Sequence, residues 1–386
     1  MINGNNGIFS NVQSLFARFF EKKTRSVIGV DIGSSAIKVV QLVRKGGRAI
    51  LETYGELALG PYAGFEVGQA TNLAEDRLSE ALTDIIREAN VTSREAGMAI
   101  PLAASLVSVI EMPTPPGVRL EEVVPLEVRR YIPVPIAEVS LDWQVIPDEG
   151  RGSELEEPEE KPAHPAQILP TRSRILFAAI HNETLGKYQN VAKKSGLSLG
   201  FLEIESFASM RSLLGRERIT VLIMDIGAGA TKLSIVEAGV VASTHIINKG
   251  SQDITLALSQ SQGIEMHKAE LLKREVGLSD DIANKETSQT MQLIINTIFA
   301  ETNKMVLDFE KKRHRIIDRV ILSGGGSLLK GILPVAQRNF NTTVVFAEPF
   351  ARIETPAFLE PVLKDVGPNF AVAAGIALRK IQEAEF

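Results

Sequence analysis

Residues Asp31 to Lys38 read DIGSSAIK, and half a chain later Asp225 to Lys232 read DIGAGATK. This near repeat restricts the fold more than any other feature, because whatever unit it marks must be built twice. Each copy follows an apolar run, Val27, Ile28 and Val30 in the first and Val221 to Met224 in the second, and precedes a further β-rich run. Both copies therefore predict a strand, a glycine turn and a return strand, which is a tight β-hairpin with a polar tip.

The tips carry the residue types that phosphate binding needs. Gly33 and the run Gly227, Ala228 and Gly229 leave the backbone open to close approach, so that its N–H groups, with Ser34, Ser35 and Thr231, can donate to phosphate oxygens. Lys38 and Lys232 add point charge. Asp31 and Asp225 suit a hard cation held mainly through its own waters. One such string is compatible with a bare structural hairpin, but its duplication favours two tips gripping one polyphosphate.

A chain of 386 residues is long enough for two core-bearing domains, and 44% hydrophobic with 23% charged residues is an ordinary globular composition. The net charge of -5 does not suggest nucleic acid as the main ligand. The absence of cysteine excludes disulfides and thiolate metal sites. No apolar run approaches the roughly 20 residues of a membrane-spanning helix.

Along the chain, residues 1–25 place Phe9, Val12, Phe16, Phe19 and Phe20 at helical spacing before Lys22, Lys23 and Arg25. This amphipathic segment suits an anionic membrane surface, a partner, or its own domain. Asn72 and Glu75 have capping-box spacing before a helix running to about Asn90. Residues 97–197 predict a small α/β module with strands at Met98 to Ile100, Leu106 to Glu111, Val139 to Ile146 and Arg174 to Ile180. A solvated acidic loop from Asp148 to Lys161 interrupts it, and His164 falls in the same solvated stretch. Glu270 and Lys273 lie three apart, on one face of a helix beginning near Met266, where a surface ion pair is the plain alternative. A long helix spans Glu286 to Arg313. The run Gly324, Gly325 and Gly326, followed by Ser327, is a turn that lets backbone lie flat against a ligand.

Taken in order, hairpin tip, ESFAS at Glu205 to Ser209, second tip, SGGGS at Ser323 to Ser327 and NFAVAAGIA at Asn369 to Ala377 resemble the nucleotide site of the actin, Hsp70 and sugar kinase superfamily. The inserted module and the stretch YIPVPIAEVSLDWQV at Tyr131 to Val145 most resemble the PilM family of type IV pilus assembly proteins, relatives of FtsA. The resemblance implies an α/β fold of duplicated ribonuclease H-like, actin-like ATPase domains, with residues 26–204 and 205–386 as the two lobes. It implies two phosphate loops at the tips, an adenosine loop at SGGGS, and adenosine contacts from Glu270 and Lys273. ATP or ADP with Mg²⁺ would be the cofactor, and Glu205 would match a water-positioning acid. Ser206 stands where relatives usually carry proline, which points to slow turnover at most, with purely structural ATP as the competing reading. The implied role is a cytoplasmic scaffold at the inner membrane. It would hold the N-terminal tail of a PilN-type protein in a groove between the first subdomain and the inserted module, with other pilus platform proteins or further copies of itself as partners. An FtsA-like polymerising protein and an acetate- or sugar-kinase-like phosphotransferase are the alternatives.

Overall fold

The computed structural model describes residues 26–114, 119–146, 172–215, 217–279 and 281–383. The amphipathic segment 1–25, the acidic stretch Asp148 to Lys161 and His164 lie outside the described residues.

Both predicted hairpins form, and each seeds a five-stranded sheet of the same plan. In the first, β1 (Ser26–Ile32), β2 (Ala36–Lys45) and β3 (Arg48–Ala58) form an antiparallel meander, and β4 (Glu95–Ile100) and β8 (Ser198–Ile204) extend it in parallel, giving the order β3-β2-β1-β4-β8. In the second, β9 (Thr220–Ile226), β10 (Thr231–Glu237) and β11 (Val240–Ile247) repeat the meander. Strands β12 (Arg319–Ser323) and β13 (Thr343–Phe346) then add in parallel, giving β11-β10-β9-β12-β13. Two sheets of one design on one chain are the duplicated ribonuclease H-like architecture.

The third sheet is smaller. Strands β5 (Ser105–Pro113), β6 (Val139–Ile146) and β7 (Arg172–His181) pair in the order β5-β7-β6, and α2 (Leu120–Val128) packs on one face through Val124 and Val128 against Ile175 and Phe177. Met98 to Ile100, which sequence pattern places in this module, instead belong to β4, in the first sheet between β1 and β8. Likewise α3 (Asn182–Lys194) supplies Tyr188 and Val191 to the core of the first sheet, beside α1 (Glu75–Glu88). The inserted sheet and its helix thus occupy residues 105–181. The short apolar run at Met98 to Ile100 marks a strand, but its partners lie outside the run and the pattern does not name them.

The capping box does not form, because α1 starts at Glu75 with Ala74 in the N-cap position and without a side-chain cap. The backbone ahead of it is held elsewhere, with the Thr71 N–H donating to Ser34 O at 2.7 Å.

The second sheet is covered by α5 (Ser251–Gln262), α6 (Met266–Val276), α7 (Lys285–Arg313) and α8 (Ile332–Asn339), whose Ile254, Ala269, Met291, Ile295, Ile298, Phe299 and Ile332 are buried with β9 and β10 side chains. Two further helices join the halves. Helix α4 (Glu205–Leu213) leads from the first sheet to the second, and α10 (Ala371–Glu383), preceded by α9 (Glu360–Val366), returns to pack on β1 and β2. Sequence position alone assigns α10 to the second lobe, yet its Ala373, Ala374 and Ala377 are buried with Val27, Val40 and Leu42. Its run of small residues permits that approach, since a methyl group on Gly29 of β1 would stand 2.1 Å from Ala373 O. Among the described residues no helix is long and apolar enough to cross a membrane.

Candidate nucleotide site

The two turns have the same local geometry. Asp31 pairs across the strands with Lys38, and Asp225 with Lys232; the Gly33 N–H donates to Ala36 O at 2.9 Å and the Gly227 N–H to Ala230 O at 3.0 Å. Each aspartate therefore closes a strand one step before its turn, with the lysine of its own hairpin alongside. Lys38 Nζ is 3.8 Å from Asp31 Oδ2, and Lys232 Nζ is 3.4 Å from Asp225 Oδ2.

The sheets bring the two tips face to face. A methyl group placed on Gly229 of the second turn would stand 3.5 Å from Ser34 Oγ of the first and 3.7 Å from Ala70 Cβ. Glu205, at the start of α4, completes the cluster: its carboxylate accepts from the Leu102 N–H at 2.7 Å and from Lys232 Nζ at 2.9 Å. Five ionisable groups from both halves thus share one buried space. Burial raises the Asp31 pKa, with Asp225 and Glu56 adding to the shift and Lys38 and Lys232 opposing it. Burial likewise raises Glu205, again with Lys232 opposing and Asp225 and Asp31 adding. Burial works against the Lys232 charge, but Glu205, Asp225 and Asp31 outweigh it and lift its pKa.

A largely buried pair of aspartates from two facing hairpins is a place where a divalent cation is favoured. Among the described residues no group of three or more His, Asp or Glu side chains is arranged to hold a metal. Asp31 and Asp225 fit Mg²⁺ held mainly through its own waters, the usual habit of that ion.

The glycine run adjoins the second tip. Gly324 has φ +80°, and a side chain there would meet Asp225 Oδ1 at 2.1 Å; one on Gly326 would meet Ile226 Cγ2 at 2.4 Å. Only glycine lets this turn lie so close to the end of β9. The Gly324 N–H donates to Pro368 O at 2.8 Å, which ties the turn to the segment before α10, and Gly325 faces Asn369.

Glu270 and Lys273 are not a surface pair. Lys273 is 7% exposed, 2.6 Å from Glu270 Oε2, and donates to Thr255 Oγ1 at 2.9 Å, while Thr255 donates to Glu270 at 2.7 Å and Arg274 braces the other carboxylate oxygen. Burial pushes the Lys273 pKa down. For Glu270 burial acts upward but is outweighed by Lys273 and the hydrogen bonds, so its pKa falls below 4.5. A carboxylate depressed in the fold contributes stability above its unfolded pKa and loses it as pH falls through the folded one. Below about pH 4.5 the wild type is therefore expected to lose stability more steeply than Glu270→Gln, as read by urea unfolding at successive pH values.

Two other expected ligands are engaged elsewhere. The Thr231 hydroxyl is fully buried and donates to Lys249 O at 2.8 Å, and the Ser327 hydroxyl is fully buried and donates to Gly324 O at 2.7 Å. Both brace the loops instead of facing a ligand. Ser34 and Ser35 stay at the first tip, but the N-terminal amides of α5 serve the second one: the Ser251 and Gln252 N–H groups donate to Gly227 O and Ala228 O. Tyr188 was not legible as a site residue. It is buried, with its pKa raised by burial and by the charges of Asp31 and Glu205, yet in sequence it is only one apolar position of a helix stripe.

Residues 29–381 match the family described as type IV pilus assembly protein PilM. The chain belongs to that family. Consistent with this, the structure of a PilM-PilN type IV pilus biogenesis complex superposes with a TM-score of 0.75, at 22% identity, over 92% of this chain and 98% of that one. MreB5 of Spiroplasma citri bound to AMPPNP superposes with a TM-score of 0.52, at 14% identity, over 94% and 98% of the two chains. Identities this low show a shared actin-like fold. The cell division protein FtsA of Escherichia coli is 22% identical over 207 residues, 46% of this chain and 49% of FtsA. The chain spans about half the length of the curated relatives it matches. A PilM-family chain with duplicated sheets and a three-stranded insertion within the first half is thus the settled architecture.

Proposed function

We propose that this PilM-family chain is an ATP-binding scaffold of the type IV pilus assembly platform, in which Mg²⁺-ATP bridges the two hairpin turns and fixes how the halves close. The observation that carries this reading is the meeting of Ser34 and Gly229 at the junction of the two sheets, with Asp31, Lys38, Asp225 and Lys232 behind them. MreB5, on the same fold, was captured with AMPPNP, which supports a nucleotide here. In this reading the turns and lysines hold the phosphates, the glycines Gly324 to Gly326 and the Glu270–Lys273 pair hold the adenosine, and Asp31 and Asp225 hold the metal through water. The PilM-PilN complex supports a PilN-type partner, whose N-terminal tail would occupy a groove beside the inserted sheet and so tether the chain at the inner membrane. Other platform proteins and further copies of this chain would dock on the same scaffold.

Glu205 favours a structural or slowly hydrolysed nucleotide. Its two carboxylate oxygens already accept from Leu102 and Lys232, and this engagement leaves it poorly placed to take a proton from water. Calorimetry with Mg²⁺-ATP tests the site. Lys38→Ala is expected to weaken binding about tenfold or more, the scale of one charge-assisted hydrogen bond. Gly227→Val, whose Cβ would stand 2.9 Å from Ala230 O, is expected to distort the second turn and weaken binding similarly. Unchanged affinity in both variants, each still folded, would remove the phosphate-loop assignment. Capture of the full chain by an immobilised PilN-type N-terminal peptide tests the partner, and substrate-stimulated ADP release with sugars or acetate would overturn the scaffold.

A further inference from the structure

Between β3 and α1, residues 60–74 leave the first sheet and pass over the junction of the two halves. Both ends of this strap are tied to the first turn: the Leu59 N–H donates to Ser35 O at 2.8 Å and the Thr71 N–H to Ser34 O at 2.7 Å. Beside Thr71 the strap is also tied to the second half, where the Ala70 N–H donates to the side-chain Oε1 of Gln252 at 2.7 Å. Gln252 lies in the first turn of α5, and its own backbone N–H donates to Ala228 O at 3.0 Å. One residue therefore connects the strap to the second phosphate turn.

We propose that this strap is a gate over the nucleotide cleft, latched by the Gln252 carboxamide, and that release of the latch limits nucleotide exchange. The inference rests on the nucleotide-binding reading above. Ala70, Ser34 and Gly229 meet at one point, so a polyphosphate entering between the turns must part the strap from the second half. The strap also reaches the nucleoside end of the cleft. Gly68, at φ +92°, lies against Glu270, where a methyl group would stand 3.3 Å from the carboxylate carbon, and a small pocket there is lined by Val67, Gln252, Thr255 and Met266. Tyr62, Ala63 and Leu73 pack its two flanks against the core of the first sheet, and polar contacts hold the part between. No residue from Pro61 to Asn72 is buried, and Phe65 and Val67 are 54% and 57% exposed. A segment with few buried apolar contacts opens locally without global unfolding.

The test uses the full chain loaded with ribose-labelled fluorescent ADP and chased with excess ATP, together with hydrogen exchange of the strap amides. Gln252→Ala removes the acceptor and is expected to raise the release rate about five- to tenfold and to speed exchange of the amides at 66–72, the effect of one lost hydrogen bond on an opening equilibrium. Gln252→Glu keeps an acceptor for the Ala70 N–H and is expected to stay within about twofold of wild type in amide exchange. Release and exchange both within twofold of wild type in Gln252→Ala would overturn the gate while leaving the nucleotide site intact. A wild type that binds no nucleotide at all would overturn the binding reading and the gate together.

Discussion

Gly375→Ala is expected to cost about 3 kcal/mol or more of stability, the upper end of what overpacking a core does. The added methyl would stand 1.8 Å from Ala208 O and 2.4 Å from its carbonyl carbon. These are backbone atoms of α4, so no rotamer change relieves the contact and the two helices must separate. Separation cannot stay local. The opposite side of α10 is held to β1, where Gly29 meets Ala373 and Ala377, and the Ser212 hydroxyl of α4 donates to Ala371 O at 2.7 Å. The crossing thus holds three elements, α4, α10 and β1, at backbone contact distance. Gly186→Ala in α3 is the control, because a methyl there meets nothing within 4 Å and should stabilise by up to about 1 kcal/mol through helix propensity. Chemical unfolding of the pair decides the matter. A Gly375→Ala midpoint equal to wild type would mean that the crossing carries no such constraint.

Lys232→Met is expected to be the second most damaging change. Its ammonium lies 2.9 Å from Glu205 and 3.4 Å from Asp225, and burial leaves these carboxylates little water to replace it. Removing one partner of a buried ion pair typically costs about 3–5 kcal/mol, because the other charge remains in the interior. The double variant Lys232→Met/Glu205→Gln should recover a substantial part of the loss, and the coupling between the two sites should exceed about 1 kcal/mol in a double-mutant cycle. Additive effects would show that the lysine acts through packing alone. Lys38 is the milder case: it sits 3.8 Å from a single carboxylate, so its loss should fall on ligand affinity more than on folding.

Much of this site is legible in the sequence because its signals are local. A hairpin turn is encoded within eight residues, and the Asp–Lys cross-strand register follows from the spacing of the motif itself. Helices α6 and α7 appear where apolar periodicity puts them; the triple glycine reads in sequence as backbone laid against a ligand, and what the fold shows is Gly324 and Gly326 laid against Asp225 and Ile226. What stays hidden is pairing at a distance. Strand β4 reads as part of the inserted module because its partners β1 and β8 lie on either side of that module in sequence, and no alternation pattern names a partner. The hydroxyls of Thr231 and Ser327 look like ligands in the sequence, and only the fold reveals the carbonyls they brace. The strap escapes notice for the opposite reason: it is irregular backbone whose role comes from what it crosses.

The seat of α10 has a consequence for biosynthesis. Val27, Val40 and Leu42 leave the ribosome with β1 and β2, yet residues that cover them, Ala373, Ala374, Ala377 and Ile381, are translated only after both five-stranded sheets have been made. Domains usually complete themselves in order of synthesis. Here the first sheet must wait with part of one apolar face bare until α10 has been made, so premature termination anywhere before α10 should release a chain fit for chaperone capture and proteolysis, however intact its first half.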